Sequence, residues 1–285
     1  MRRTSTLSVP VSRGWHDHTC WFHTGPRNWR DVLVPFFEEG VVHRESLFYV
    51  SDKTPEELAE DLKELPGRDE LLRTGQLTLM SVGLARGMAG DQRLAEQMDV
   101  IRRETDHALA AGYPRLRIAA ESAHPIQGRA DAVQFVRSEL LVDEMVSRMP
   151  VVLLCGYDGR YVDRRAAAAL SFVHPLRQRS TFGSGSGLYA DPNQPDTWRL
   201  HGELDLASRE VFEIALDALP VHGDLHLKLD GLDFIDVGGA HALAALAERI
   251  FPRRLILHDP PTGLMRIVEL SRDEFPSMRR VVASS

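Results

Sequence analysis

The stretch Leu225–Ile250, LHLKLDGLDFIDVGGAHALAALAERI, changes its period midway, and that change decides the fold of its part of the chain. Leu225, Leu227 and Leu229 alternate with His226, Lys228 and Asp230. A period of two marks a strand with one covered face. Asp230-Gly231 is a turn signal, and a short apolar piece then ends in Phe234-Ile235-Asp236. Beyond Val237-Gly238-Gly239 the apolar residues Ala240, Leu243, Leu246, Ala247 and Ile250 recur at helical spacing. The reading is strand, tight glycine-containing loop, helix. Such a loop lies at a helix N-terminus, where unpaired backbone N–H groups and the positive dipole end suit an anion, a phosphate or the contact residues of a partner.

Two flanking pieces extend the pattern. Upstream stands Leu200-His201-Gly202-Glu203-Leu204-Asp205-Leu206; downstream stand Leu255-Ile256-Leu257, Asp259-Pro260-Pro261 and a helical pattern around Leu264, Ile267 and Leu270. Together these pieces resemble the STAS domain, the anti-sigma-factor-antagonist family, over residues 197–285. The resemblance implies a mixed sheet packed by helices and a partner-docking loop at Asp236, Val237, Gly238 and Gly239. His241, Ala244 and the loop Asp205-Leu206-Ala207-Ser208 would join that surface, because the resemblance places the loop after Leu204 at the same end of the sheet. Family antagonists carry Asp-Ser-[Ser/Thr]-Gly at this loop, and phosphorylation of the serine releases the partner. Here the serine position is Val237, which has no hydroxyl, so no phosphosite is assigned there. Ala240, Leu243 and Leu246 read as core, His241 and Ala244 as outward-facing. Ser208 is most simply a helix N-cap.

Composition bounds the function classes. A chain of 285 residues allows one large or two ordinary domains. Its apolar fraction, 43%, suffices for a packed core. The net charge of −7 argues against a role coating nucleic acid. Two cysteines, Cys20 and Cys155, make no disulfide framework and point to a reducing compartment. The start, MRRTSTLSVPVSRGW, lacks the apolar segment of a signal peptide, and no run approaches a membrane span. A cytoplasmic protein is expected.

Residues 1–14 read as a disordered tail. A strand is expected near Cys20-Trp21-Phe22, then a helix with Trp29, Val32, Leu33, Phe36 and Phe37 on one side, a kink at Pro35 and a stop at Gly40. Leu47-Phe48-Tyr49-Val50 reads as a buried strand, and Thr54-Pro55-Glu56-Glu57 as a capping box opening a helix. Further strands are expected at Leu77–Met80, Leu116–Ala120 and Val151–Cys155, and helices around 94–109, 131–149 and 163–173. Strands alternating with helices imply an α/β domain with a mainly parallel sheet. Residues 179–196, rich in Gly, Ser and Pro, read as a linker between residues 15–178 and 197–285.

The first of these regions also carries a resemblance. His18-Thr19-Cys20-Trp21-Phe22, Val34–Gly40, Leu47–Val50, Ala110–Tyr113 with Leu116-Arg117-Ile118, and Leu154–Asp158 resemble MEDS domains. That family consists of sensory modules of bacterial and archaeal regulators, similar to degenerate relatives of RecA/KaiC-type ATPases. The resemblance implies a three-layer, parallel-sheet domain with a degenerate P-loop, lying beside regulatory domains such as STAS. A working P-loop needs G-x-x-x-x-G-K-[ST]. The corresponding turn here, His23–Arg30, has one Gly, no Gly-Lys-[Ser/Thr], and a Pro that removes an amide donor. ATP hydrolysis is therefore not expected.

Candidate ligand residues are His18, Cys20, Arg27, Glu121 and Tyr157. Glu121 and Tyr157 follow strand ends, where α/β sheets bind ligands, and with His18 they would line one crevice. The alternative is a capping Glu121 and a packing Tyr157. Arg27 and Arg30 either meet an anion at a helix start or are solvated charges. His16, His18 and Cys20 would share a strand face near His23, but the pattern lacks paired metal-ligand spacing, so no metal is assigned. No catalytic triad or dinucleotide fingerprint stands out. The expectation is a non-enzymatic signalling regulator without a cofactor. Its sensory region would sense a small molecule or a partner, and its STAS-like region would dock an anti-sigma factor or a histidine-kinase-like ATPase. The alternatives are a nucleotide-binding module with residual ATPase activity, or a scaffold in a larger complex. Neither nucleic acid nor membrane is expected as a partner, and the oligomeric state, a homodimer included, stays open.

Overall fold

The computed structural model describes residues 4–9, 14–82, 90–122, 124–179, 185–271 and 281–283. Contacts divide the chain into two compact units that do not follow chain order. The first comprises Met1–Pro125, Met145–Asp163 and Leu176–Arg179; the second comprises Ile126–Glu144, Arg164–Pro175 and Ser180–Ser285.

The first unit is built on seven strands: β1 (Ser5–Leu7), β2 (His18–His23), β3 (Ser46–Ser51), β4 (Leu77–Ser81), β5 (Leu116–Ser122), β6 (Val151–Asp158) and β7 (Leu176–Gln178). Their order is β1-β7-β2-β6-β5-β3-β4, with every pairing parallel. Strands buried on both faces read as continuous apolar runs rather than alternations, and all eight residues of β6 are buried. Helices α1 (Pro26–Val42), α2 (Pro55–Asp61), α3 (Arg68–Thr74) and α4 (Gly90–Ala110) complete the unit.

One core cluster joins Trp29, Leu33, Phe36 and Phe37 of α1 to Leu47, Tyr49, Ala119 and Leu154 on one sheet face. In-register neighbours of a parallel sheet share a face, and alternate residues take the other. Face one therefore also carries Trp21, His23, Ser51, Glu121 and Gly156; the opposite face carries His18, Cys20, Phe22, Cys155 and Tyr157.

Several expectations need correction here. Ser5–Leu7, expected in a disordered tail, pairs with Leu176–Gln178 as an edge strand; residues 1–3 and 10–13 lie outside the described residues. Helix α1 does not stop at Gly40 but runs to Val42 with Pro35 inside it. Gly40 serves close approach instead: a Cβ there would stand 2.5 Å from Leu47 and 2.8 Å from Arg117. The capping box forms as expected, Thr54 Oγ1 accepting from Glu57 N–H while Glu57 accepts from Thr54 N–H.

The second unit holds a mixed five-stranded sheet ordered β12-β11-β10-β9-β8, with β8 (Gly187–Ala190), β9 (Thr197–Leu204), β10 (Leu225–Ile235), β11 (Leu255–His258) and β12 (Val281–Ala283). Among the described residues only the β8–β9 pairing is antiparallel. Its helices are α5 (Gly128–Val146), α6 (Arg164–Val173), α7 (Arg209–Ala218), α8 (Val237–Arg249) and α9 (Thr262–Ser271). Two of them, α5 and α6, come from the sequence before residue 178. They join this unit through side chains: Phe172 of α6 packs on Phe212 of α7 at 6.3 Å between ring centroids, Arg165 pairs with Glu210 at 2.6 Å, and Asp143 of α5 accepts from Ala190 N–H.

The expected linker is also corrected. Residues 187–190 are a fully buried strand, because Leu188 and Tyr189 supply apolar side chains to the sheet edge; residues 180–184 lie outside the described residues. Likewise Asp230-Gly231 makes no turn. Strand β10 runs unbroken through it, with irregular register against β9 between Lys228 and Gly231 and again between Leu232 and Phe234. Such a bulge absorbs the extra residues without ending the strand.

Candidate functional site

Strands β9 and β10 end side by side, with Leu204 paired to Ile235. Two short connections leave that edge. After β10, Asp236 donates its N–H to Leu204 O at 2.9 Å, and its side chain accepts Gly239 N–H at 2.7 Å. Asp236 is thus the N-cap, and α8 begins at Val237. The expected loop 237–239 is already the first helical turn, because the Asp side chain satisfies one of its orphan donors. After β9, Asp205 Oδ1 accepts the N–H groups of Ala207 and Ser208, while Ser208 Oγ accepts Asp205 N–H at 2.9 Å. Ser208 occupies the N-cap position of α7 but makes no capping bond. Its hydroxyl is turned back into the Asp205 turn.

This arrangement sorts the expected contact residues. Leu206 is 75% exposed, Val237 53% and Phe234 50%, so three apolar side chains of this edge stand in solvent. Asp205 is exposed, and Asp236, Gly238 and His241 are half-buried. Ser208 and Gly239 are buried and support the loops from beneath. Ala244, expected outward, is buried with Ala240 and Leu243. Sequence reasoning reached Leu206 through the Asp205–Ser208 loop but did not reach Phe234 as a contact candidate. Phe234 next to buried Ile235 is the signal that could have found it, since adjacent strand residues take opposite faces.

Between α7 and α8 lies an open cavity of about 420 Å³ whose walls include Arg209, Glu213, Asp217, Gly238 and His241. Its charges are paired: Asp217 meets Arg129 at 2.6 Å and also Arg249, and Arg209 meets Asp236 at 3.6 Å.

In the first unit, Glu121 anchors a buried polar cluster on face one. Tyr49 Oη lies 2.7 Å from Glu121 Oε2 and 2.9 Å from Asp61 Oδ2, and accepts Trp29 Nε1–H at 3.0 Å. Lys53 Nζ reaches both carboxylates at 2.6 Å. His23 Nε2 approaches the other oxygen of Glu121 at 3.3 Å. Burial pushes the Glu121 carboxyl up, but the close approach of His23 and the charge of Lys53 outweigh it and hold it below its usual range. Burial, Glu121 and Asp61 push the Tyr49 phenol far above its usual value, so it stays protonated as a donor.

His18 and Tyr157 do not line a crevice with Glu121. They point to the opposite face, where His18 Nε2 lies 3.3 Å from Cys155 Sγ and the Tyr157 ring packs tilted against Phe22 at 5.6 Å between centroids. Sheet parity decides this, as Glu121 pairs with Gly156 and not with Tyr157. The histidines near Cys20 are dispersed as well. His16 contacts Met149 O at 2.6 Å, and His23 takes the face opposite His18. Arg27 is exposed in the first turn of α1. The turn before that helix is Thr24-Gly25, with Gly25 at φ 135°, which is open to glycine and strained for other residues.

A family model described as the methanogen/methylotroph, DcmR sensory domain (MEDS) matches residues 17–175, more than half of the chain. The chain belongs to the MEDS family. A second model, described as Mlab, STAS domain, matches residues 189–273. A search of curated proteins found no match. The MEDS match includes α5 and α6, which in space belong to the unit built on the STAS sheet. Family and fold together assign the chain to signalling, with a sensory MEDS region and an anti-sigma-factor-antagonist-like STAS region. No described helix is long and apolar enough to cross a membrane.

Proposed function

We propose that this chain is a non-enzymatic regulator whose STAS edge docks an anti-sigma factor or a histidine-kinase-like ATPase, and whose MEDS region biases that docking in response to a small ligand. The observation that carries the reading is the exposed trio Leu206, Phe234 and Val237 around the Asp236 cap. Exposed apolar side chains rimmed by polar groups favour burial against a partner. Val237 stands where family antagonists carry the serine that is phosphorylated, so release of the partner would not run through phosphate at this position. For ligand control, the ligand must bind better to one state of the STAS edge than to the other.

The test is a pull-down with the full-length chain as bait, from cytosol of the source organism, beside a Val237→Glu bait. Capture of a kinase-like anti-sigma protein by the parent alone supports the reading. Equal capture by both baits moves the interface elsewhere.

A further inference from the structure

Strand register brings together two residues that the sequence keeps far apart. Cys20 on β2 is the direct partner of Cys155 on β6, and both point to the same sheet face. Neither forms a disulfide in the structure, and both are buried, at 0% and 5% exposure. Adjacent strands stand about 4.8 Å apart, within the Cα separation of roughly 4.4–6.8 Å that a disulfide spans. On its other side Cys20 is the register partner of Arg177 on β7. Arg177 is buried, and burial disfavours its charge while an ionised Cys20 favours it. His18, two residues before Cys20 on the same face, places Nε2 3.3 Å from Cys155 Sγ. One thiol thus has an imidazole and the other a guanidinium beside it, neighbours that favour a thiolate against the burial that opposes it.

We propose that Cys20 and Cys155 form a redox modification site, a dithiol that a hydroperoxide converts to a cross-strand disulfide and a thiol reductant restores. In the first step His18 Nε2 takes the Cys155 proton and the thiolate attacks a peroxide oxygen. The O–O bond breaks, Cys155 becomes a sulfenic acid, and the departing oxygen recovers the proton from His18, leaving as water or alcohol. In the second step Cys20 sulfur attacks Cys155 sulfur. The S–S bond forms, the S–O bond breaks, and hydroxide leaves as water with the Cys20 proton. Two thiols lose two electrons and the peroxide gains them. In-register strand neighbours hold their Cβ atoms near the strand spacing, wider than the roughly 3.5–4.5 Å of a relaxed bridge. Such a bridge is strained and belongs with the readily reduced ones. None of this depends on the docking edge of the second unit.

The test uses the full-length protein, reduced and freed of reductant, then exposed to hydrogen peroxide. Remaining thiols are blocked with iodoacetamide under denaturing conditions, and unreduced peptides are mapped by mass spectrometry. The expected result is a linked peptide pair containing Cys20 and Cys155, lighter by two hydrogens and abolished by dithiothreitol. His18→Gln should slow its appearance several-fold, and in Cys20→Ser dimedone should trap a sulfenic acid on Cys155. Recovery of both cysteines as alkylated thiols after peroxide exposure overturns the proposal. So does oxidation to bridges between two copies of the chain. Thiols protected from peroxide until a chelator is added also overturn it, in favour of a metal held by Cys155.

Discussion

Arg209 lies across Gly238 so closely that a Cβ on residue 238 would stand 1.6 Å from its Nη2, and the same guanidinium pairs with Asp236 at 3.6 Å. The glycine is what lets an arginine of α7 cover the first turn of α8. Gly238→Ala must push the guanidinium aside, and that end of the side chain is partly exposed and free to move. Alanine in a helix is favoured over glycine by about 1 kcal/mol. Thermal stability is therefore expected to hold or rise slightly, while partner affinity falls several-fold because Arg209 and Asp236 are rearranged. Melting curves and binding isotherms of the same variant separate the two effects.

Lys53 is the counter-charge for two buried carboxylates. Lys53→Met leaves Glu121 and Asp61 facing each other near Tyr49, and breaking a buried pair costs about 3 kcal/mol. Tyr49→Phe removes one donor and leaves Trp29 Nε1–H without its acceptor, a loss of about 1–3 kcal/mol. Denaturant unfolding of each variant measures both. A Lys53→Met protein as stable as the parent would show that the carboxylates are not strained against each other.

Acid should weaken the STAS sheet through His258. Burial, His226 and Lys228 lower its pKa, with Asp259 opposing; its Nε2 lies 2.9 Å from His226 Nδ1. The native state therefore resists a proton that the unfolded chain accepts near pH 6.5. Between the two pKa values the unfolded state binds more protons, so stability rises with pH there. The contribution is complete above about pH 6.5 and is lost as pH falls through that value and below. His258→Gln should flatten this part of a plot of melting temperature against pH. An unchanged slope would assign the effect to other groups.

Removing residues 1–179 takes α5 and α6 away from the unit built on the STAS sheet. Phe212 then loses Phe172, and Ala190 N–H loses its acceptor on Asp143. A truncated chain of residues 180–285 is expected to melt at lower temperature than the corresponding transition of the full chain and to bind a hydrophobic dye. A fragment that melts with the full chain would show that β8 and α7 need no cover.

The period change at Leu225–Ile250 was legible because strand and helix periodicities are local: β10 and α8 form on either side of it, although the strand runs on through Asp230-Gly231 and the helix takes in Val237–Gly239. The Thr54 box was legible for the same reason. Gly40 misled because a glycine's use in close packing and its use as a helix stop look alike in sequence; Leu47 and Arg117 decide between them from other strands. The crevice of His18, Glu121 and Tyr157 failed on parity, since all three stand on strands but alternate residues face opposite sides. Tyr49, Lys53 and Asp61 were missed as companions of Glu121 because all three lie within residues 49–61, far from residue 121 along the chain.

The sequence by itself determined the alternation of strands and helices, the MEDS and STAS regions, and the valine at the position of the family's serine, since each is written in short-range pattern or in residue identity. Tertiary structure alone decided that Cys20 faces Cys155, that Lys53 bridges Glu121 and Asp61, and that α5 and α6 join the second unit. The physical reason is strand order. The first sheet runs β1-β7-β2-β6-β5-β3-β4, so its neighbours are set by long-range packing of apolar faces and by register, which no window along the chain contains.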